Sequence, residues 1–207
     1  MRRIIFVLTS MGILFFSFKI LSKNTKINPP TICVSDDSTE EKLLNRAVII
    51  KKFIANNPNY NKEIVFLIDM KISSGKNRFF VYNLKNNAII DQGLVAHGIG
   101  SETHTEGILM FSNEPNSFCT SLGKYYIGHS YNGKFGKSYK LYGLEKTNNN
   151  AFTRNIVIHK YDKVPCEEQD KPICKSLGCP MLNKEFYARI EKLIDNSRSK
   201  ILLDIYY

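Results

Sequence analysis

From residue 60 onward the chain is cut into short apolar runs separated by turn residues, a pattern that requires a fold built on a sheet. Residues 63–69 (EIVFLID), 78–84 (RFFVYNL) and 88–96 (AIIDQGLVA) are rich in Val, Ile and Phe and too short for helices. Residues 73–77 and 85–87 supply Gly, Ser and Asn turn chemistry between them. Residues 107–111, 138–144 and 155–159 read as further strands, and 201–206 as a closing one. The stretch 112–137, dense in Gly, Ser, Asn and Tyr, reads as a loop. Residues 183–195 have helical spacing, with Phe186, Ile190, Leu193 and Ile194 on one side. The expectation is a mostly β domain with a few helices and no internal repeat.

The chain before residue 60 reads differently. Ser38-Thr39-Glu40-Glu41 fits a capping box, and Leu43, Leu44, Ala47, Val48 and Ile54 follow at helical spacing. This predicts a helix over 39–55, stopped by Asn56-Asn57-Pro58-Asn59. Residues 24–37 form a polar linker interrupted by Pro29-Pro30. At the start, Arg2 and Arg3 precede an apolar stretch over 4–18 that Lys19 ends, the build of a secretory signal sequence. The stretch falls short of the ~20 residues that span a bilayer comfortably. The expected organisation is therefore a signal sequence or N-terminal anchor over 1–23, a linker over 24–37, a helical lead-in over 38–59 and a catalytic-size domain over 60–207.

An exported chain sits in the periplasm or cell envelope, held there at the inner membrane if residues 1–23 remain as an anchor. Outside the cytoplasm disulfides are permitted. The formal net charge is +10; four of the cations lie in residues 1–23, which leaves +6. The lysines are scattered rather than clustered, and export removes the usual opportunity for nucleic acid. An anionic wall or membrane surface is the better match.

The 5 cysteines are an odd number, so one thiol is left over if the rest pair. Cys179 follows Gly178 in Lys175-Ser176-Leu177-Gly178-Cys179-Pro180, and His159 ends the apolar run 156–158 upstream. A thiol with pKa ~8.5 is mostly protonated at neutral pH, and an adjacent imidazole can take its proton. Gly178 allows a tight turn, after which the N–H groups of Gly178 and Cys179 can face a developing oxyanion. Spacing alone leaves the alternative open that Cys179 belongs to a structural disulfide and that His159 is a structural histidine.

These residues resemble the L,D-transpeptidase (YkuD-type) catalytic domain, in its murein L,D-transpeptidase branch. The signature is His159, sixteen intervening residues, then Ser176-Leu177-Gly178-Cys179. The likeness extends through Phe66-Leu67-Ile68-Asp69, Val95-Ala96-His97-Gly98, Phe111-Ser112-Asn113, Gly133-Lys134-Phe135-Gly136 and Gly178-Cys179-Pro180, most of residues 60–207. The resemblance implies a β-sandwich-like fold preceded by a helix. It implies Cys179 as nucleophile, His159 as general base, Gly178 and Cys179 as oxyanion donors, and Ser176 as a positioning residue. The implied reaction attacks the bond between a diamino acid and D-Ala in a peptidoglycan tetrapeptide stem. It passes through a thioester to an acceptor amine or water, with no metal or organic cofactor. An L,D-carboxypeptidase or crosslink hydrolase on the same bond is the alternative, and a cell-wall-binding module is the non-enzymatic one. Two positions depart from the superfamily pattern: Leu177 stands where many members have His, and Pro180-Met181 where many have Arg or Asn after the cysteine.

Further candidates lie around this pair. His97, Tyr126 and Lys175 are candidate substrate contacts, and the aromatic stretch containing Tyr125, Tyr126, Tyr131 and Phe135 is packing or a lid. His97 and His104 lack the carboxylate or third ligand of a zinc site. Cys33, Cys119, Cys166 and Cys174 allow three pairings, of which Cys166–Cys174 closes the shortest loop and Cys33–Cys119 is then left.

Overall fold

The computed structural model describes residues 37–207; the expected signal segment, the linker up to residue 36 and Cys33 lie outside them. Eight strands join in one mixed sheet, flanked by two helices. The elements are α1 (Asp37–Ile54), β1 (Tyr60–Asp69), β2 (Phe79–Asn83), β3 (Ala88–Gly93), β4 (Gly123–Gly133), β5 (Gly136–Gly143), β6 (Val157–Lys160), β7 (Met181–Leu182), α2 (Lys184–Asn196) and β8 (Lys200–Tyr206). The spatial order is β3-β2-β1-β8-β4-β5-β6-β7. The closing strand β8 inserts at the centre, parallel to β1 and antiparallel to β4.

Both faces of the central strands are buried, and alternation sorts their side chains. Val65 and Leu67 of β1 and Leu202 of β8 face one apolar cluster with Leu43, Ala47, Ile50 and Ile54 of α1. Phe66 and Ile68, with Leu203 and Ile205, face the other with Phe186, Tyr187 and Ile190 of α2. A period of two along each strand therefore feeds two cores. The apolar stripe of α1 is shifted from the expected one: Ile50 is buried, while Leu44 and Val48 are exposed. Ser38, the expected N-cap, lies inside the helix. Asn183 caps α2 instead of opening it, its side chain accepting from the Phe186 N–H at 2.8 Å.

Two expected elements are corrected. The stretch read as a loop contains β4, because Tyr125 and Ile127 alternate into the α2-side core while Tyr126 between them packs on the α1 side. The density of Gly, Ser and Asn reflects a bulged hairpin, whose register shifts between Ile127 and Ser130. His129 accordingly sits on a strand, with its Nδ1 3.2 Å from the Tyr142 hydroxyl. Conversely, residues 107–111 make only an isolated bridge, Glu102 with Leu109.

The loop after β3 is tied down by a buried charge. Arg78 is fully buried, and its guanidinium donates to Val95 O through both Nε and Nη2 and to Ile72 O. Nη2 also donates to His97 Nδ1 at 2.8 Å. A guanidinium has no lone pair to offer, so Nδ1 is the acceptor and the proton sits on Nε2. That Nε2–H donates to Glu102 at 2.6 Å, and Glu102 in turn pairs with Lys175 at 3.1 Å. Burial and the Arg78 charge push the His97 pKa below its ordinary 6.5. An unfolded chain therefore takes up this proton first as pH falls through 6.5, and stability is lost in that direction. His97→Gln cannot titrate, so its deficit in melting temperature against the parent should narrow between pH 7 and pH 5.

Candidate active site

The turn carrying Cys179 is sewn to the segment after β3. Ser176 N–H donates to His97 O at 2.8 Å, and Ile99 N–H donates to Ser176 O at 2.7 Å. The buried Ser176 hydroxyl accepts from the Gly178 N–H at 3.0 Å. The chain then turns through Gly178 at φ +114°, a region L side chains rarely adopt. After Pro180 it enters β7, where Met181 pairs with His159 in parallel and the His159 N–H donates to Pro180 O. Histidine and cysteine are thereby carried on neighbouring segments, with His159 opposite a position two residues after Cys179.

Each side chain has a defined surrounding. Cys179 Sγ accepts from Val157 N–H at 3.4 Å and donates to Asn155 O at 3.7 Å. Burial pushes the thiol above its ordinary 9.0; the Val157 N–H and the charges of Arg154 and Lys140 pull the other way without reversing it. His159 is buried, and burial pushes its pKa below 6.5. Its Nδ1 lies 2.9 Å from Lys160 O, a carbonyl that can only accept, so Nδ1 carries the proton and Nε2 holds a lone pair. Both groups are therefore neutral at neutral pH, a thiol and an imidazole rather than an ion pair.

Two neighbours escape a reading by spacing. Phe135, at the tip of the β4–β5 hairpin, stacks on the imidazole with ring centroids 4.2 Å apart and planes at 18°. It was legible only as one of several aromatics in a packing-or-lid stretch. Removing this cover admits water to the ring, and hydration favours the charged form. Phe135→Ala should move the acid limb of any His159-dependent activity upward toward pH 6.5, read from a pH–rate profile. Arg154 has no sequence signature at all. Its guanidinium donates to Ser112 O, Ser117 Oγ, Cys119 O and Ser121 Oγ, clamping the 112–121 loop beside Gly178.

The other sequence candidates are placed elsewhere or spent. The Gly178 N–H is occupied by Ser176, so in this arrangement the expected oxyanion pair is reduced to the Cys179 N–H. His97 has both ring nitrogens engaged in the buried chain to Arg78 and Glu102, and the Lys175 ammonium is paired with Glu102. Tyr126 stacks on Tyr142 at 4.5 Å, has Lys200 against its ring and packs with the α1-side core. Cys166 and Cys174 are free thiols, contrary to the expected bridge. The Cys166 thiol donates to Glu185 at the start of α2, while Cys174 packs against the cluster of Leu94, Val164 and Met181. Closeness along the chain did not make their side chains converge. Cys119 is also free and buried, donating to Gly100 O. Among the described residues no group of three or more His, Cys, Asp or Glu could hold a metal ion.

Comparison with known proteins gives one family and several solved structures. A family model described as YkuD_2, L,D-transpeptidase catalytic domain, matches residues 35–203. Among solved structures, the chain is similar to an L,D-transpeptidase from Xylanimonas cellulosilytica, with 12% identity over 72% of this chain and 63% of that one and a TM-score of 0.38. It is similar to the helical cell shape determining protein Pgp2 from Campylobacter jejuni (K307A mutant), with 12% identity over 80% and 53% and a TM-score of 0.43. An L,D-transpeptidase from Mycobacterium tuberculosis matches at 13% identity over 70% and 58%, with a TM-score of 0.33. The chain thus spans between about half and two thirds of the length of these structures. Among curated proteins none matches. With its family match running from the start of α1 to the last strand, through the His159 and Cys179 segments, this chain belongs to the L,D-transpeptidase catalytic domain family.

Proposed function

We propose that this protein is an acyl-transfer enzyme acting on peptidoglycan stem peptides, with Cys179 as nucleophile and His159 as general base. The observation that carries the reading is the state of the imidazole: Nδ1–H is held by Lys160 O, which leaves the Nε2 lone pair for a proton from the thiol. The resting thiol donates to Asn155 O, so a rotation about its side-chain bond precedes proton transfer.

In the acylation step His159 Nε2 takes the thiol proton as Sγ attacks the carbonyl carbon of the diamino acid in the diaminoacyl–D-Ala bond. The tetrahedral oxyanion is met by the Cys179 N–H, which has no hydrogen-bond partner among the described residues. Collapse breaks the C–N bond. The imidazolium returns its proton to the leaving amine, and D-Ala departs with a thioester on Sγ. An amine then attacks the thioester, His159 takes its proton, and the thiol is regenerated with a new amide. Phe135 and the buried surroundings of His159 keep water from the imidazole face it covers.

The test is product mass after incubation with tetrapeptide-stem muropeptides, beside Cys179→Ala. Loss of D-Ala with a new amide in the parent and none in the variant supports transfer. Loss of D-Ala without a new amide assigns the site to hydrolysis. Unchanged muropeptides, with an unreactive Cys179 and tight binding to murein sacculi, would assign a wall-binding role and overturn the proposal. A wall substrate lies beyond the cytoplasmic membrane, so export through residues 1–23 is part of the same proposal, checked by localising the chain with and without them.

A further inference from the structure

Two cations reach Cys179 with their field, Arg154 and Lys140. They differ in what their hydrogens are doing. Arg154 gives both terminal nitrogens to carbonyls and hydroxyls of the 112–121 loop and is a clamp. Lys140, half-buried on β5, donates only to the Asn155 side-chain oxygen at 3.1 Å and has no carboxylate partner among the described residues. Its ammonium lies 5.1 Å from the Tyr131 ring and 5.6 Å from the Phe152 ring, in a cradle whose two rings are themselves exposed. Asn155 joins this cradle to the nucleophile. Its backbone, at φ +57°, presents its carbonyl oxygen to the Cys179 thiol, while its side chain holds the ammonium.

An ammonium ordered by two rings and one amide, one residue away from a thiol and open to solvent, is a receptor with donors to spare. The lysine expected to meet substrate is unavailable by comparison, since Lys175 is paired with Glu102; Lys137, on the same strand as Lys140, is held by Glu191 and Asp195. The position after the cysteine, Pro180, has neither a charge nor an N–H. We propose that Lys140, in its cradle of Asn155, Tyr131 and Phe152, binds a carboxylate of the donor stem peptide and selects for it. The proposal rests on the reading of Cys179 as the site of acylation. Two carboxylates can serve, that of the terminal D-Ala and, in a stem whose diamino acid is a dicarboxylic one, that of its side arm.

Binding in the Cys179→Ala background separates this from turnover and from any effect on thiol pKa. The probes are the tetrapeptide stem as free acid, the same peptide amidated at D-Ala, and the same peptide amidated on the diamino-acid side arm. Calorimetry should show the free acid binding about tenfold tighter than one of the two amides. The amide that is weakened identifies the carboxylate. Adding Lys140→Gln should abolish that preference, and Lys140→Arg should retain most of it, with circular dichroism verifying the fold of each. Equal binding of all three peptides, no binding of any, or a uniform loss with Lys140→Gln would overturn the proposal. Selectivity without turnover in the parent protein would instead count against Cys179 as nucleophile and leave Lys140 standing. Turnover without selectivity would sink the Lys140 proposal alone.

Discussion

His159→Gln is expected to lower the rate of Cys179 acylation by roughly 10²–10⁴-fold, the usual worth of a positioned general base. The size follows from the resting state. Burial holds the thiol above 9.0 and the imidazole below 6.5, so no thiolate is waiting at neutral pH. Every turnover then needs a proton acceptor at the moment of attack. In the parent protein, activity should fall as pH drops below 6.5 and His159 becomes protonated. In His159→Gln that limb disappears, and the residual rate should climb with pH through 9.0 and beyond as the thiol ionises unaided. Titrating the thiolate absorbance tests the premise separately: a midpoint above 9.0 is expected, and thiolate already present at pH 5 would indicate an ion pair instead.

Gly178→Ala is expected to damage both stability and activity. The backbone there is at φ +114°, and an added Cβ would lie 2.9 Å from Cys119 O, 3.1 Å from Ile156 Cδ1 and 3.4 Å from an Arg154 nitrogen. Backbone strain of this kind costs about 1–3 kcal/mol, and the contact with a carbonyl oxygen adds to it. At about 2–4 °C per kcal/mol, a loss of roughly 5–10 °C in melting temperature follows. The turn can relieve the strain only by moving Cys179 or by displacing the Arg154 clamp. Activity should therefore fall further than the fraction unfolded explains, read by comparing kcat/KM with thermal melts at the assay temperature.

Much of this architecture is visible in the residues alone, for a physical reason. Strands β1, β2 and β3 are bounded by Gly, Ser and Asn turns, and β1 and β2 carry β-branched or aromatic side chains into the cores. Helix α2 repeats its apolar face over Phe186 and Ile190. What the residues hide depends on partners far along the chain. Strand β4 is polar in composition because its outer half is a solvent-facing hairpin, so only Tyr125 and Ile127 betray it. The stripe of α1 is decided by which flank meets Leu202 and Phe80, and that flank takes Ile50 rather than Leu44 or Val48.

The candidate site divides the same way. His159 and the Ser176–Cys179 turn are compact in sequence, and their types match the chemistry. Phe135 lies 24 positions before His159 and meets it because the β4–β5 hairpin tip folds over β6. Arg154 and Lys140 are single cations in ordinary surroundings, singled out only once Asn155 and the 112–121 loop are set around Cys179. The short loop between Cys166 and Cys174 points to a disulfide, yet both thiols are free, because a short loop does not determine where its side chains point.

The central claim is covalent: a stem peptide becomes attached through its diamino-acid carbonyl to Cys179. Intact-protein mass spectrometry after brief mixing with a tetrapeptide stem reads this directly. The account predicts an adduct equal to the peptide less its terminal D-Ala, mapping to the fragment that contains Cys179 and missing from Cys179→Ala. Consumption of the peptide with no adduct at any mixing time, or the same adduct on Cys179→Ala, would contradict it.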